Sequence, residues 1–328
     1  MKRLILTSSS GADLAKSKLA EIVVFFFFRF VWGPLPSPDY LAAYFGARSG
    51  MLRPGDHWSD WGIIWPRAFK DRRNRPLAEF CERYDEIELW FDPSPQDQLQ
   101  LIWLLDHFGS HPELAPKLKL RLVDFDLSTQ ERQALANSRE TVRMVDITSR
   151  ELETGSMAWQ AYRALTPEPS VDLLRKNLSA LPLLGPAWRD LLNELPSATT
   201  GLGGTEMRLL ELIATGRFRT NGLFYLRGFR QLAVFNDVEI GSLLEGLAHG
   251  PRPAISGMDD ELRTLPPDNL RARVEAYRRS QPALTDFGRA ILAHEADFSH
   301  HNPIDRWWGG TRLTSDRLWR FGSALTSP

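Results

Sequence analysis

The sequence predicts an α/β protein: an N-terminal, doubly wound, mostly parallel sheet, followed by a mostly helical C-terminal region. Three observations carry this. Short apolar, β-branched or aromatic runs ("RLIL", "IVVFFFF", "IELWF", "KLRLV", "VRMVDI") alternate with segments that begin like helices over residues 1–148. The Phe-rich run shows no polar alternation, as in strands covered on both faces. After the Gly/Ser/Thr-rich stretch "LPSATTGLGG" (195–204), helical periodicity takes over.

Taken in order, residues 3–6 read as a first strand, "TSSSG" (7–11) as a turn and about 12–20 as a helix. The Phe-rich strand follows, and "GPLPSPDYL" leaves it with Ser37 as N-cap and Pro38 at the first helical position. Residues 50–76 are polar, Trp-bearing and irregular. "IELWF" (87–91) is the third strand. The helix over 94–108 has Ser94 as its cap, Pro95 in its first turn and Asp97 completing a variant of the capping box. Residues 119–123 form the fourth strand, Ser128 with Glu131 opens a helix, and 142–147 form the fifth strand. Consecutive β-α units in one sheet put "SSSG" and "DPSP" at the same, carboxyl edge.

Residues 149–195 read as a helical connector, broken by "LTPEPS" and "LPLLGP". Then come helices at 205–216, about 220–232 and 236–250, the last with Asn236 and Glu239 as a capping box and Gly250 as a stop. "PAIS" (253–256) and "PALT" (282–285) match as two strands, with a charged helix at about 267–279 inserted between them and a closing helix over 285–297. Three helices and a two-stranded wing resemble a winged helix-turn-helix. The expected divisions are an α/β domain (1–148), the connector (149–195), a winged-helix-like domain (196–298) and a C-terminal docking tail (299–328).

Composition narrows the function. The 328 residues carry a net charge of -1, with 43% hydrophobic and 25% charged residues, which fits a globular protein and not a general polyanion binder. A single cysteine, Cys81, excludes a disulfide framework within one chain and fits a cytoplasmic setting. No stretch has the roughly 18 apolar residues of a membrane span; the Phe run is interrupted by Arg29. No signal peptide, cofactor or metal signature is read from the chain, its seven histidines included.

The candidate site residues lie at strand ends and in the tail. Thr7, Ser8, Ser9, Ser10 and Gly11 follow a strand and open a helix, where hydroxyls and free amides hold an anion such as phosphate; a plain capped turn is the alternative. Asp92 and Ser94 occupy the equivalent place after the third strand, the region where open α/β sheets bind ligands. Asp305 and Arg306 sit in "NPIDRWWGGTRL" (302–313), whose two tryptophans need a surface to bury against and whose Gly309-Gly310 pair allows a tight turn. Packing accounts for this segment more fully than catalysis does. The expected recognition helix, "NDVEIGSLLEGLAHG", contains no Arg or Lys, which argues against specific DNA binding.

"YDEIELWFDPSPQDQLQLIWLL", "ALPLLGPAWRDLLNELPSATTGLGGTEMRLLELI", "LTDFGRAIL" and "NPIDRWWGGTRL" followed by "LWRF" resemble the uncharacterised bacterial proteins catalogued as domain of unknown function 1835. The resemblance covers most of the chain and is weakest over 50–76. It implies Asn-Gly-Asp-Ser after the first strand, where Ser8 to Gly11 stand here. It implies an acidic residue before the Gly33-Pro34 pair, where Phe28 stands, and Glu-His-Asp where Asp92, Pro93 and Ser94 stand. If those positions form a site in the relatives, this chain has lost its activity. Three readings follow. The first is a binding or regulatory protein with a small polar or anionic ligand and a winged-helix-like module for a protein partner. The second is a hydrolase or transferase acting on a phosphorylated substrate at the strand ends. The third is a DNA-binding regulator.

Overall fold

A computed structural model describes residues 2–61, 72–129, 141–216, 234–266 and 269–328. The helix expected after Ser128 and the helical piece at 220–232 lie outside the described residues. The chain divides into two compact units. One comprises Met1–Phe30, Leu35–Arg163 and Asp172–Ala187; the other comprises Val31–Pro34, Ala164–Val171 and Trp188–Pro328.

The first unit is built on a five-stranded sheet of β1 (Arg3–Ser8), β2 (Ile22–Phe26), β3 (Glu86–Phe91), β4 (Leu118–Leu122) and β5 (Met144–Asp146), in the order β2-β1-β3-β4-β5. The helices are α1 (Pro38–Phe45), α2 (Leu77–Cys81), α3 (Pro95–Phe108) and α4 (Ser149–Tyr162). β1 pairs in parallel with β2 and β3, and β3 with β4. The sheet is doubly wound because both of its faces are apolar and covered. On one face Ile5, Val23 and Trp90 pack with Leu14, Val123, Leu127 and Val142. On the other, Phe26 meets the rings of Phe45 and Trp103 edge-on, at 6.0 and 5.7 Å.

Several elements differ from expectation for local reasons. β5 runs antiparallel to β4, pairing Lys119 with Asp146 and Arg121 with Met144. At a sheet edge such a strand needs no crossover helix, and its direction leaves no trace in the residue pattern. The turn after β1 is a 3-10 helix over Ser9–Lys16 in place of an α-helix over 12–20. Gly11 lies so close to Thr7 that a Cβ there would collide with the Thr7 hydroxyl, and Lys18 ends the segment at φ 61°. β2 stops at Phe26 because Gln96 and Gln100 both donate to the carbonyl of Phe28, at 2.5 and 2.8 Å, and draw the chain out of the ladder. The start of the expected connector, α4, packs along α3 so tightly that a Cβ on Gly155 would lie 2.5 Å from that of Leu105.

The remaining elements are α5 (Glu168–Leu173), α6 (Leu184–Asn193), α7 (Gly204–Ala214), α8 (Asp237–His249), β6 (Ile255–Ser256), α9 (Glu261–Thr264), α10 (Leu270–Arg279), β7 (Ala283–Leu284), α11 (Asp286–Leu292), β8 (Asp305–Trp308), β9 (Thr311–Thr314), β10 (Arg320–Phe321) and β11 (Leu325–Thr326). α8 has the capping box expected of Asn236 and Glu239, with bonds of 2.8 and 2.9 Å. β6 and β7 pair antiparallel, Ile255 with Leu284 and Ser256 with Ala283. β8 and β9 form a hairpin that turns at Gly309, φ 53°.

The C-terminal segment is docked within the second unit. Trp308 and Trp319 are buried, and Trp308 Nε1 donates to the Leu191 carbonyl at 2.7 Å. Phe321 N donates to the Pro196 carbonyl at 2.8 Å, and Arg320 reaches Asp297 at 2.7 Å. Each buried tryptophan contributes about 1.5–3 kcal/mol, part of what offsets the backbone entropy lost on ordering the segment. Among the described residues no helix is long and apolar enough to cross a membrane.

The α3–α4 contact gives a sharp test. Gly155→Val forces a side chain into Leu105 and is expected to cost about 1–3 kcal/mol. Gly246→Ala, on the exposed side of α8 with nothing within 4 Å of the new Cβ, is expected to be neutral or to stabilise by up to about 1 kcal/mol. Urea unfolding of the two variants in parallel checks both signs.

Candidate functional site

The parallel register places Thr7 opposite Trp90, so Ser8 and Asp92 both emerge at the carboxyl end of the sheet. There the start of α3 meets the end of β1. Ser94 caps α3 as the sequence implies, accepting from Asp97 N at 3.4 Å. Asp97 does not complete the capping box. Asp92 takes that role, accepting from Ser94 N at 2.9 Å. The Asp97 carboxylate turns inward instead. It accepts from Ser8 Oγ at 2.7 Å, Ser10 Oγ at 3.3 Å and Asp92 N at 3.1 Å.

The other strand-end groups are also engaged. Thr7 Oγ1 donates to the Trp90 carbonyl at 2.6 Å. Ser8 Oγ accepts from Ser10 N at 3.0 Å. Asp92 accepts from Leu127 N at 3.4 Å, and its carbonyl accepts from Gln98 at 2.7 Å. Ser9 is exposed, and Gly11 is buried against Thr7. Of the expected strand-end residues, the structure thus gathers Ser8, Ser10, Asp92 and Ser94 around Asp97, a residue that the sequence assigned to capping alone.

Burial pushes the Asp97 carboxyl well above the usual carboxylate range, and the neighbouring charge of Asp92 pushes it further. Asp92 is raised by burial too, though less, because Ser94 and Leu127 bond to it. An incoming phosphate would have to displace a carboxylate from the same hydroxyls and amides. Ser8 is 0% exposed, so its hydroxyl is out of reach of a substrate.

A second buried cluster has no counterpart in the sequence reading. Glu88 Oε2 accepts from Arg121 Nε at 2.7 Å and Trp90 Nε1 at 2.9 Å, while Arg121 Nη1 donates to the Val142 carbonyl at 3.0 Å. Burial alone would raise the Glu88 carboxyl; Arg121 and Trp90 more than offset it and hold it below its ordinary value. The signal was present in the charged residues of "EIELWF" and "KLRLV": with Trp90 opposite Arg121, Glu88 falls diagonally beside Arg121 on one sheet face.

His107 and His111 do stand four residues apart, a ligand-like spacing that the reading of the histidines overlooked. Their rings lie 4.9 Å apart and His107 stacks on Phe45 at 4.1 Å. Burial, with His111 adding to it, lowers His107 to about 3. Among the described residues no group of three or more metal-ligating side chains is gathered. Burial also pushes the Cys81 thiol up, leaving it unreactive.

Asp305 and Arg306 belong to the second unit. Asp305 is exposed and accepts a two-pronged bond from Arg312 at 3.0 and 2.9 Å. Arg306 donates to Glu206 at 2.8 Å. Also in this unit, a groove of about 870 Å³ lies beside β7, lined by Ile213, Pro282, Leu284, Arg289 and Leu292 among others.

Two variants test the buried clusters. Asp97→Asn keeps acceptors for Ser8 and Asp92 N without a charge. Because Asp97 is raised in the folded state, its contribution is complete below its ordinary value and is lost as pH rises through the folded one. Stability of the wild type measured by urea unfolding is therefore expected to decline upward from about pH 4, and Asp97→Asn to decline less. Arg121→Met strands a buried Glu88 carboxylate and is expected to cost about 3–5 kcal/mol. Adding Glu88→Leu should recover much of that loss in the same assay.

No model of a known protein family matches the chain, and no curated protein matches it either.

Proposed function

We propose that this chain is a regulatory, protein-binding molecule and not an enzyme. Its α/β unit serves as scaffold, and the region 196–298, read as a winged-helix-like module, takes a protein partner. One observation carries the reading: α8, at the place of a recognition helix, has an exposed face of Asn236, Asp237, Val238 and Gly246 and contains no Lys or Arg. Duplex DNA requires cationic and amide side chains there for phosphates and base edges. An exposed valine flanked by an acidic residue suits a protein surface better; Val238 is 41% exposed.

The small anionic ligand is the weaker half of the expectation, since the hydroxyls and amides at the strand ends already serve Asp92 and Asp97. The phosphoryl hydrolase or transferase reading draws on the same strand-end residues. Kinship with the domain of unknown function 1835 proteins belongs to this proposal, and the altered strand-end positions suit a member without catalysis. Cytoplasmic placement is part of it too, supported by the lone buried thiol of Cys81.

A photo-crosslinking amino acid at position 238, in cells that make the full chain, tests the partner. A protein adduct on ultraviolet exposure is expected, absent when the probe replaces Met51, which is 91% exposed in the other unit. No adduct beyond the Met51 control removes the partner reading. Sub-micromolar, salt-sensitive binding of duplex DNA at about 0.1 M salt, lost when 236–250 is altered, would replace it with the DNA-binding one.

A further inference from the structure

The β6–β7 pair has an open edge. Thr285 N donates to the Ala254 carbonyl at 3.0 Å, so those two residues face each other as a hydrogen-bonded pair. The next pair, Ile255 with Leu284, is then not hydrogen-bonded across the ladder, and the Leu284 N–H and C=O point away from β6. Arg289 Nη1 donates to that carbonyl at 3.0 Å. Among the described residues no acceptor meets the Leu284 N–H.

The groove beside β7, of about 870 Å³, takes no lining residue from β6 and so lies on this outer side. Its walls are apolar: Ile213 from α7, Leu292 and Ala293 at the end of α11, and Pro282 just before β7. Arg289 is the one residue lining it that carries a charge. The other partner of Arg289, Asp286, has a 99% exposed side chain. An ion pair in that setting contributes little, so the guanidinium is available to a second carboxylate.

A free strand edge is a template for pairing with another chain. Three features fall together here: a main-chain donor at Leu284, apolar walls that suit the alternate side chains of a strand, and a cation at the rim. A basic segment would meet Arg289 as a like charge, and an acidic one as its complement.

We propose that the outer edge of β7 takes an extended, acidic segment of a protein partner as a third strand, with a backbone carbonyl on Leu284 N and a carboxylate on Arg289. None of the groove's lining residues comes from α8, so this site is separate from the exposed face around Val238 and stands or falls independently of it.

Three capped, fluorescent peptides added to the full chain test this: Glu-Val-Glu-Val-Glu, Lys-Val-Lys-Val-Lys, and the glutamate peptide methylated at its amide nitrogens. Affinity is read by anisotropy and the Leu284 amide by hydrogen exchange. The glutamate peptide is expected to bind about fivefold more tightly than the lysine one, and the methylated one not to bind. The Leu284 amide is expected to exchange fast in the free chain and to slow when the glutamate peptide is bound. Arg289→Gln should erase the charge preference and leave that slowing in place; should it not fold, the lysine peptide on the wild type decides the charge requirement. No binding of the glutamate peptide at about 1 mM overturns the proposal. So does a Leu284 amide already slow in the free chain, which would mean that the chain covers its own edge. Slowing that grows with protein concentration and without peptide overturns it too, in favour of a second copy on β7.

Discussion

The carboxyl of Asp97 is enclosed where α3 meets the end of β1, and an enclosed carboxyl must have its lone pairs met. That requirement organises the strand ends. Ser8 turns its hydroxyl inward and, by accepting from Ser10 N, starts the chain into a 3-10 helix. Asp92 gives its amide to Asp97 and its carboxyl to Ser94 N, so the end of β3 and the start of α3 are fixed to each other. With α3 set in this way, Gln96 and Gln100 reach the Phe28 carbonyl and end β2, while Trp103 meets Phe26 in the aromatic layer below. The parallel register of β1 with β3 makes the arrangement possible, because it brings Ser8 and Asp92 to the same edge.

Features that depend on local or periodic pattern were legible in the sequence. Ser37, Ser94 and Asn236 cap the helices they were expected to cap, and the Gly309 turn and the pairing of "PAIS" with "PALT" lie where the residues put them. Features that depend on a distant partner were not. Asp97 satisfies the spacing of a capping box, and nothing in that spacing reveals that Ser8, 89 residues earlier in the chain, competes for its carboxylate and wins. The direction of β5 was equally hidden, since an edge strand of three residues has the same composition whichever way it runs. At the candidate site "SSSG" and "DPSP" do converge, around the Asp97 carboxyl that the spacing had assigned to capping alone.

The net charge of -1 conceals two different kinds of buried ionic site. Glu88 and Arg121 are matched one to one and are joined by Trp90 and the Val142 carbonyl, so the carboxyl is held charged and the cluster behaves as a rigid part of the sheet. Glu194, just after α6, is bonded to Thr205 instead of to a cation, while Glu206 is paired with Arg306. A one-to-one pair gains nothing from taking up a proton in the neutral range, whereas an acid in excess does. Burial acts most strongly on Glu194 and raises its carboxyl to about 7, with the Thr205 bonds and Arg306 opposing this and Glu206 adding to it.

The same distinction bears on function. A catalytic hydroxyl must be reachable and must have a base free to take its proton. Ser8 meets neither condition: it is enclosed, and its acceptor Asp97 is itself held toward the neutral form by burial and by Asp92. An anion site must offer donors in surplus, and the donors identified around Asp97 are matched by carboxylate oxygens of the same unit. On the proposed reading the partner surface is that of α8, which carries an exposed valine, an acidic first turn and no Lys or Arg. Such a helix suits the proposed protein partner better than a phosphate backbone, whose neutralisation calls for cations.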